Sequence, residues 1–254
     1  MTGIKNYLHS LERSRASLLH KDRPRTFAMA GVDWDLLDGV FAPPFSASTG
    51  VAMELLDLTG PDAQPWHGSF LEVGCGTGIV AVSAALAGCD RVTALDISEQ
   101  AVRNTAVNAA RHRVTDRVRA VHSDLFDGLV PGDRHDTVYW HSNFVLAPPD
   151  YRYATMHERA YVDPGYRAHR RYLAEAPSYV TAEGRVLLHF SERGDFASLE
   201  ALAEDCGRRL QVLRNRTVRE GTESVEHFLL EITETATGLR GKADRTESGK
   251  AALA

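Results

Sequence analysis

Cysteine is scarce in this chain of 254 residues, with only Cys75, Cys89 and Cys206. Three thiols so widely scattered make neither a disulfide framework nor the paired spacing of a zinc site. No metal is expected, and a reducing cytoplasm is the natural setting. Long apolar runs are missing too. No stretch approaches the ~18 residues of a membrane span, and Lys5, Glu12 and Arg13 break the apolar core that a secretory signal needs. Positive charge is not in excess: 29 Lys and Arg against 34 Asp and Glu give a formal net charge of −5. General attraction to nucleic acid or to an anionic membrane is therefore not expected. There is no internal repeat. What remains is an ordinary globular composition, 43% hydrophobic and 25% charged, in a length that suits one large α/β domain with appendages or at most two small domains. A monomer or homodimer is expected.

The chain is organised around Phe70-Leu71-Glu72-Val73-Gly74-Cys75-Gly76-Thr77-Gly78. Bulky and β-branched residues suit a parallel strand covered on both faces. Gly74, Gly76 and Gly78 then let the backbone turn tightly and approach a ligand closely. Ile79 to Ala87 reads as a small-residue helix stopped by Gly88. Ile79 stands where a dinucleotide fingerprint carries its third glycine, which disfavours a nicotinamide or flavin. A second strand, Arg91 to Leu95, ends on Asp96, and an acidic residue at that point can hold both hydroxyls of a ribose.

Glu72-x-Gly-x-Gly-x-Gly with Asp96 resembles the S-adenosylmethionine (SAM) site of class I methyltransferases, over roughly residues 40–232. The resemblance implies a Rossmann-like, doubly wound, seven-stranded and mostly parallel sheet whose last strand is antiparallel. It implies SAM as cofactor, bound by Glu72, Gly74, Cys75, Gly76, Gly78, Asp96 and Ile97, with Asn143 expected along its methionine half. Asp124 would meet the adenine amine and Leu125 its ring, although an aspartate that merely starts a turn reads the same way. Val40 to Thr49 resembles the segment ahead of the SAM site in several methyltransferases, including those that modify protein glutamine. There Thr49 and its neighbours either cap a helix over about 50–58 or face the methionine carboxylate.

Three divisions are expected: an N-terminal helical lid over 1–38, the SAM-binding domain over 39–234, and a disordered tail over 235–254. In the first, Ile4, Tyr7, Leu8, Leu11, Leu18 and Leu19 share a helical face. That face either packs on the core or closes over the cofactor. Further strands are expected at Arg117–His122, Thr137–Trp140, Arg185–Phe190, Leu210–Arg214 and Glu226–Thr233, with helices near 100–111 and 196–208. Residues 145–180 form a cap insert holding six of the eight tyrosines, and Asp163-Pro164 reads as a helix start.

In line with the strand ending at Trp140, His141-Ser142-Asn143-Phe144 falls where amide and amine N-methyltransferases carry Asn-Pro-Pro-Tyr. Both prolines are missing, which argues against protein glutamine or a nucleobase as acceptor. The residues expected to act on the substrate are Asn143, His141, Tyr166, Tyr179 and Ser191. His141 reads as a base, a cofactor contact or a structural histidine; the tyrosines either pack or turn their rings to a cation. The leading expectation is methyl transfer to a small metabolite in secondary metabolism. The tyrosine-rich cap, the altered box and Ser191 also look like azetidine-2-carboxylate synthases, in which the SAM amine attacks its own γ-carbon and methylthioadenosine leaves. A protein or RNA N-methyltransferase is the further alternative, with nucleic acid not favoured.

Overall fold

The computed structural model describes residues 6–59 and 66–235. A seven-stranded sheet runs through the molecule. Its strands are β3 (Ser69–Val73), β4 (Arg91–Asp96), β5 (Val118–His122), β6 (His135–His141), β9 (Val180–Ser191), β10 (Arg208–Glu220) and β11 (Glu223–Glu234). The order is β10-β11-β9-β6-β3-β4-β5. All neighbours pair in parallel except at β11, which is antiparallel to both β9 and β10. The doubly wound sheet with one antiparallel last strand is thus present.

Side chains alternate across this sheet and build two cores. Phe70, Ala94 and Tyr139 face one side with α2 (Ser48–Leu55) and α3 (Ile79–Leu86). Leu71, Leu95 and Trp140 face the other with α5 (Arg167–Glu175) and α6 (Phe196–Asp205). Every residue of β3 is buried, which is why its sequence reads as a continuous apolar run broken only by Glu72. The helix α4 (Glu99–Arg111) follows β4; Ser98 Oγ accepts from the Ala101 N–H, and Glu99 and Arg111 sit at the ends where the helix dipole favours them. No helix of the described residues is long and apolar enough to cross a membrane.

Several expectations change. The N-terminal segment is not wholly helical: α1 (Tyr7–Leu18) is followed by a hairpin of β1 (Thr26–Met29) and β2 (Val32–Asp35). Its turn, Ala30-Gly31, has both residues at positive φ. The hairpin is docked on α4 by polar contacts. Asn104 and Asn108, fully buried, exchange hydrogen bonds with the backbone of Asp35 and Leu37, and Arg111 clasps the Asp35 carboxylate at 2.7 and 2.8 Å. Asn108 also donates to the Thr77 carbonyl at 2.8 Å, tying α4 to the glycine-rich turn.

The inward face of α1 differs from the leucine face as well. Ser10, Ser14 and Ser17 are buried, whereas Leu8 is 52% and Leu19 69% exposed. Ile4 lies outside the described residues. At 162–164 the chain makes β8 (Val162–Pro164), paired in parallel with β7 (Val145–Ala147), and α5 begins only at Arg167. Asp163 still serves that helix. Its carboxylate accepts from the N–H groups of Ala168 and His169 and from the His169 ring. The helix α2 starts at Ser48 with Ala47 as its N-cap and no side-chain capping bond. The strands β10 and β11 are much longer than expected, forming a twelve-pair ribbon. The tail expectation falls on 236–254, outside the described residues, apart from Thr235, whose N–H bonds to the Gly207 carbonyl at 3.1 Å.

Candidate active site

A cavity of about 230 Å³ lies beyond the carboxyl ends of β3, β4, β5 and β6, where ligands of open α/β sheets bind. Its floor is the turn from Gly74 to Thr77. Gly74 and Gly76 hold φ of +67° and +56°, and a Cβ at Gly76 would project into open space. Asp96 closes this end, its carboxylate accepting from the Gly76 N–H at 2.9 Å and the Ser98 N–H at 2.8 Å. Burial pushes Asp96 up, while those N–H groups and His122 oppose it. Glu72, fully enclosed, accepts from the Ala81 N–H at 2.8 Å, and burial pushes its carboxyl well up.

Leu125 sits at φ +51° in a turn tied by Ser123, which donates to the Leu125 carbonyl at 2.7 Å. That conformation lays an apolar side chain on the cavity wall, as a flat heterocycle requires. Asp124 beside it is held by Arg171 at 3.1 Å, and the same guanidinium reaches Asp127 and Glu175. Glu72, Gly74, Cys75, Gly76, Asp96, Ile97, Asp124, Leu125 and Thr49 all line the cavity, whereas Gly78 does not. At φ +80°, Gly78 is the N-cap of α3, and a Cβ there would stand 2.7–2.8 Å from Thr105. Its part is close helix packing.

The far end is built from the loop after β6 and the cap. Asn143 lines it; its amide nitrogen donates to the carbonyls of Arg159 and Val162, both at 2.9 Å, and Oδ1 is buried without a partner. Two carbonyls at the nitrogen fix which way the amide points. His141 also lines the cavity and stacks on His189 with ring centroids 4.3 Å apart. Burial, then His227, lowers its pKa to about 3, so it is neutral near pH 7 and a weak base. Tyr153 and Tyr161 face the space, with the Arg159 guanidinium 4.6 Å from the Tyr153 ring.

Tyr166, Tyr179 and Ser191 do not line the cavity. Tyr166 is buried, donating to the Phe144 carbonyl at 2.7 Å and accepting from the Asp195 N–H at 2.8 Å. Tyr179 stacks on Phe126 at 4.8 Å. Ser191, fully buried, ends β9 and its carbonyl receives the Gly194 N–H. Tyr166 and Tyr179 add aromatic volume to the core behind the loop, where the Tyr166 hydroxyl is satisfied by backbone groups.

Four lining residues carried no sequence signal. Ser10 and Arg13 come from α1, Arg193 from the turn after β9, and Glu220 from the end of β10. Arg193 and Arg13 both meet Glu220 Oε2, the second at 3.5 Å, and His227 Nε2 lies 3.4 Å from Oε1. Burial alone would raise Glu220, but His227, Arg193 and Arg13 outweigh it and lower its pKa. A little farther along the roof, Ser14 Oγ and His157 Nδ1 are 2.7 Å apart. No local motif joins segments so distant in sequence; only charge type marks them.

Comparison with known proteins points the same way. Residues 47–139 match the model of the ribosomal protein L11 methyltransferase (PrmA) family. The chain is 26% identical over 207 residues to the release factor glutamine methyltransferase of Thermosynechococcus vestitus, covering 76% of this chain and 70% of that enzyme. The chain is thus similar to class I SAM-dependent methyltransferases across the stretch that holds the glycine-rich turn, Asp96 and β6. It is therefore a SAM-dependent transferase, and the glycine-rich floor, Asp96 and Leu125 are residues suited to that cofactor. A second relative, the ribosomal protein uL3 glutamine methyltransferase of Francisella tularensis, is 26% identical over 70% of this chain but only 56% of its own length. The solved structure of SMU.776 in complex with S-adenosylhomocysteine shares the fold, with a TM-score of 0.57 at 12% identity over 83% of this chain and 57% of that one. Both named relatives act on glutamine, the acceptor class that the missing prolines argued against.

Proposed function

We propose that this methyltransferase-family enzyme transfers a methyl group from SAM to a nitrogen of a small molecule held under the α1 roof. The observation that carries this reading is Asn143 Oδ1, buried, unpartnered and fixed at the head of the cavity. A lone buried acceptor costs about 1–3 kcal/mol until something donates to it. An N–H of the acceptor supplies that bond and is thereby oriented with its lone pair free. SAM when bound supplies a methyl group on a sulfonium, already activated for displacement. The protein's task is then alignment and exclusion of water. Asn143 would hold the accepting nitrogen in line with the methyl group that bound SAM supplies, and the proton that nitrogen gives up would pass to solvent. Neutral Tyr153 and Tyr161 line the same space without adding charge.

A second reading keeps the contact and changes the acceptor. The two glutamine methyltransferase relatives favour the side-chain amide of a protein glutamine, reaching Asn143 through an opened roof. One experiment separates the readings: incubate the purified protein with SAM alone, with a small-molecule extract, and with glutamine-bearing translation proteins, and identify the adenosyl product. S-adenosylhomocysteine formed only with the small-molecule extract supports the leading proposal. Its formation only with added protein replaces it by the second. Methylthioadenosine from SAM alone overturns both and means cyclisation of SAM to azetidine-2-carboxylate.

A further inference from the structure

The two ends of the cavity carry opposite charge. Glu72, Asp96 and Asp124 line the glycine-rich end, while Arg13, Arg159, Arg193 and Glu220 line the other, Arg13 and Arg193 on Glu220 and Arg159 over the Tyr153 ring. Glu220 is already shared three ways, with both oxygens engaged by Arg193, Arg13 and His227. Its side chain is 9% exposed and that of Arg193 11%, so this pair is little screened by water, while Arg13 is 32% exposed and Arg159 is exposed. Arg193 Nε is buried and has no partner. Arg193 lines the cavity with one nitrogen of its fork on Glu220, and a guanidinium so placed can take a second carboxylate through its remaining donors.

We propose that Arg193, with Arg13 of the α1 helix, is a carboxylate-binding subsite that takes the α-carboxylate of an amino-acid-type group in the chamber. That group is either the methionine half of SAM or an acceptor of amino-acid type. The second source rests on the small-molecule reading above; the first needs only the cofactor. Topology permits both. The ends of β6 and β9 are neighbours about 4.8 Å apart, which places Arg193 one strand over from Asn143. An amino acid laid across that gap would present its nitrogen to Asn143 and its carboxylate to Arg193. Glu220 then acts as a positioning residue. It holds the two guanidiniums side by side against their mutual repulsion, and His227 steadies it from beneath.

The test uses the full chain and three variants, Arg13→Met, Arg193→Met and the double change R193M/E220M. The double variant keeps the test open should Glu220, left buried without Arg193, prevent folding. S-adenosylhomocysteine, which carries the carboxylate, and methylthioadenosine, which lacks it, are titrated calorimetrically into each. If the cofactor supplies the carboxylate, S-adenosylhomocysteine weakens at least tenfold in the variants and methylthioadenosine stays within twofold. If the acceptor supplies it, both affinities hold. Wild-type protein saturated with S-adenosylhomocysteine is then stabilised by millimolar glycine or glutamate beyond chloride of equal ionic strength, and the variants are not. Equal weakening of both nucleosides overturns the proposal and leaves the cluster as a roof fastening. So does an unchanged pair of affinities with no amino-acid effect on the saturated protein. Failure of wild type to bind S-adenosylhomocysteine at all would count against the cofactor assignment instead.

Discussion

At the scale of single residues, the roles proposed for Asn143 and Asp96 separate chemistry from binding. Asn143→Ala removes the one unpartnered acceptor at the reacting end and should lower kcat by about 10²-fold, the effect of losing a single preorganised hydrogen-bonding group. The affinity for S-adenosylhomocysteine should stay within about twofold, since a contact made mainly in the transition state does not tighten ground-state binding. Single-turnover rates and calorimetry check this; a mutant that binds poorly and turns over normally would reverse the assignment. Asp96→Ala should do the opposite, weakening S-adenosylhomocysteine by about 1.5–3 kcal/mol for each charge-assisted bond lost. Part of that loss comes through the Gly76 N–H, which the Asp96 carboxylate holds. These two residues were legible because each sits at a strand end announced by its own local pattern. Tyr166 and Tyr179 misled for the converse reason. A tyrosine beside a site looks the same in sequence whether its ring faces ligand or core, and here the hydroxyl of Tyr166 is spent on backbone groups.

Among the elements, α1 is the most instructive. Hydrophobic periodicity put all its leucines inside, but part of the surface it covers is polar: His157 meets Ser14 and Glu220 meets Arg13. Small hydroxyl residues let the helix lie close to those groups; Tyr7 and Leu11 pack on Val145, Ala147 and Val162, while Leu8 and Leu19 face outward. Deleting residues 1–22 should therefore raise the exchange rate of bound cofactor and lower turnover while the sheet stays folded. Stopped-flow release of a fluorescent SAM analogue, with circular dichroism as control, measures both. Full turnover in the truncated protein would reduce α1 to packing. The β1–β2 hairpin and β8 escaped the sequence reading on similar grounds. Both are short pairings fixed by partners elsewhere, the hairpin by Asn104 and Asn108 on α4 and β8 by β7. By contrast β3, β4 and β6 announce themselves, since central strands covered on both faces carry bulky apolar residues such as Phe70-Leu71, Ala94-Leu95 and Val138-Tyr139-Trp140.

For the molecule as a whole, buried neutral histidines set the response to acid. His135 and His157 titrate at about 4 and His141 at about 3, each lowered first by burial. The unfolded chain takes up protons near pH 6.5, where the folded chain does not. Stability is therefore full above pH 6.5 and is lost as the pH falls toward 4, at about 1.4 kcal/mol per pH unit for each histidine in that window. Thermal unfolding followed from pH 8 to pH 4 should show a plateau and then a steep decline. Replacing His157 with Gln should make the decline shallower, and an identical profile would remove His157 from the account. The doubly wound sheet was readable through the resemblance carried by the glycine-rich turn; β3, β4 and β5 neighbour one another in chain order, and β6 then crosses back to lie beside β3. The chamber was not, because its roof joins residues 13, 193, 220 and 227, which no window of sequence brings together.

That joining fixes an order of assembly on the ribosome. Residues 69–125, which supply the cofactor floor, are contiguous and emerge early, and domains fold from the N-terminal side as they are made. The partner of Arg13 is not synthesised until residue 220, and Glu220 is set only when β11, the last strand made, slides between β9 and β10. A nascent or truncated chain can thus shape its nucleoside floor while its roof has nothing to latch on. The reacting chamber is finished by the final strand, so an incomplete chain carries a place for the methyl donor and no enclosed place in which to spend it.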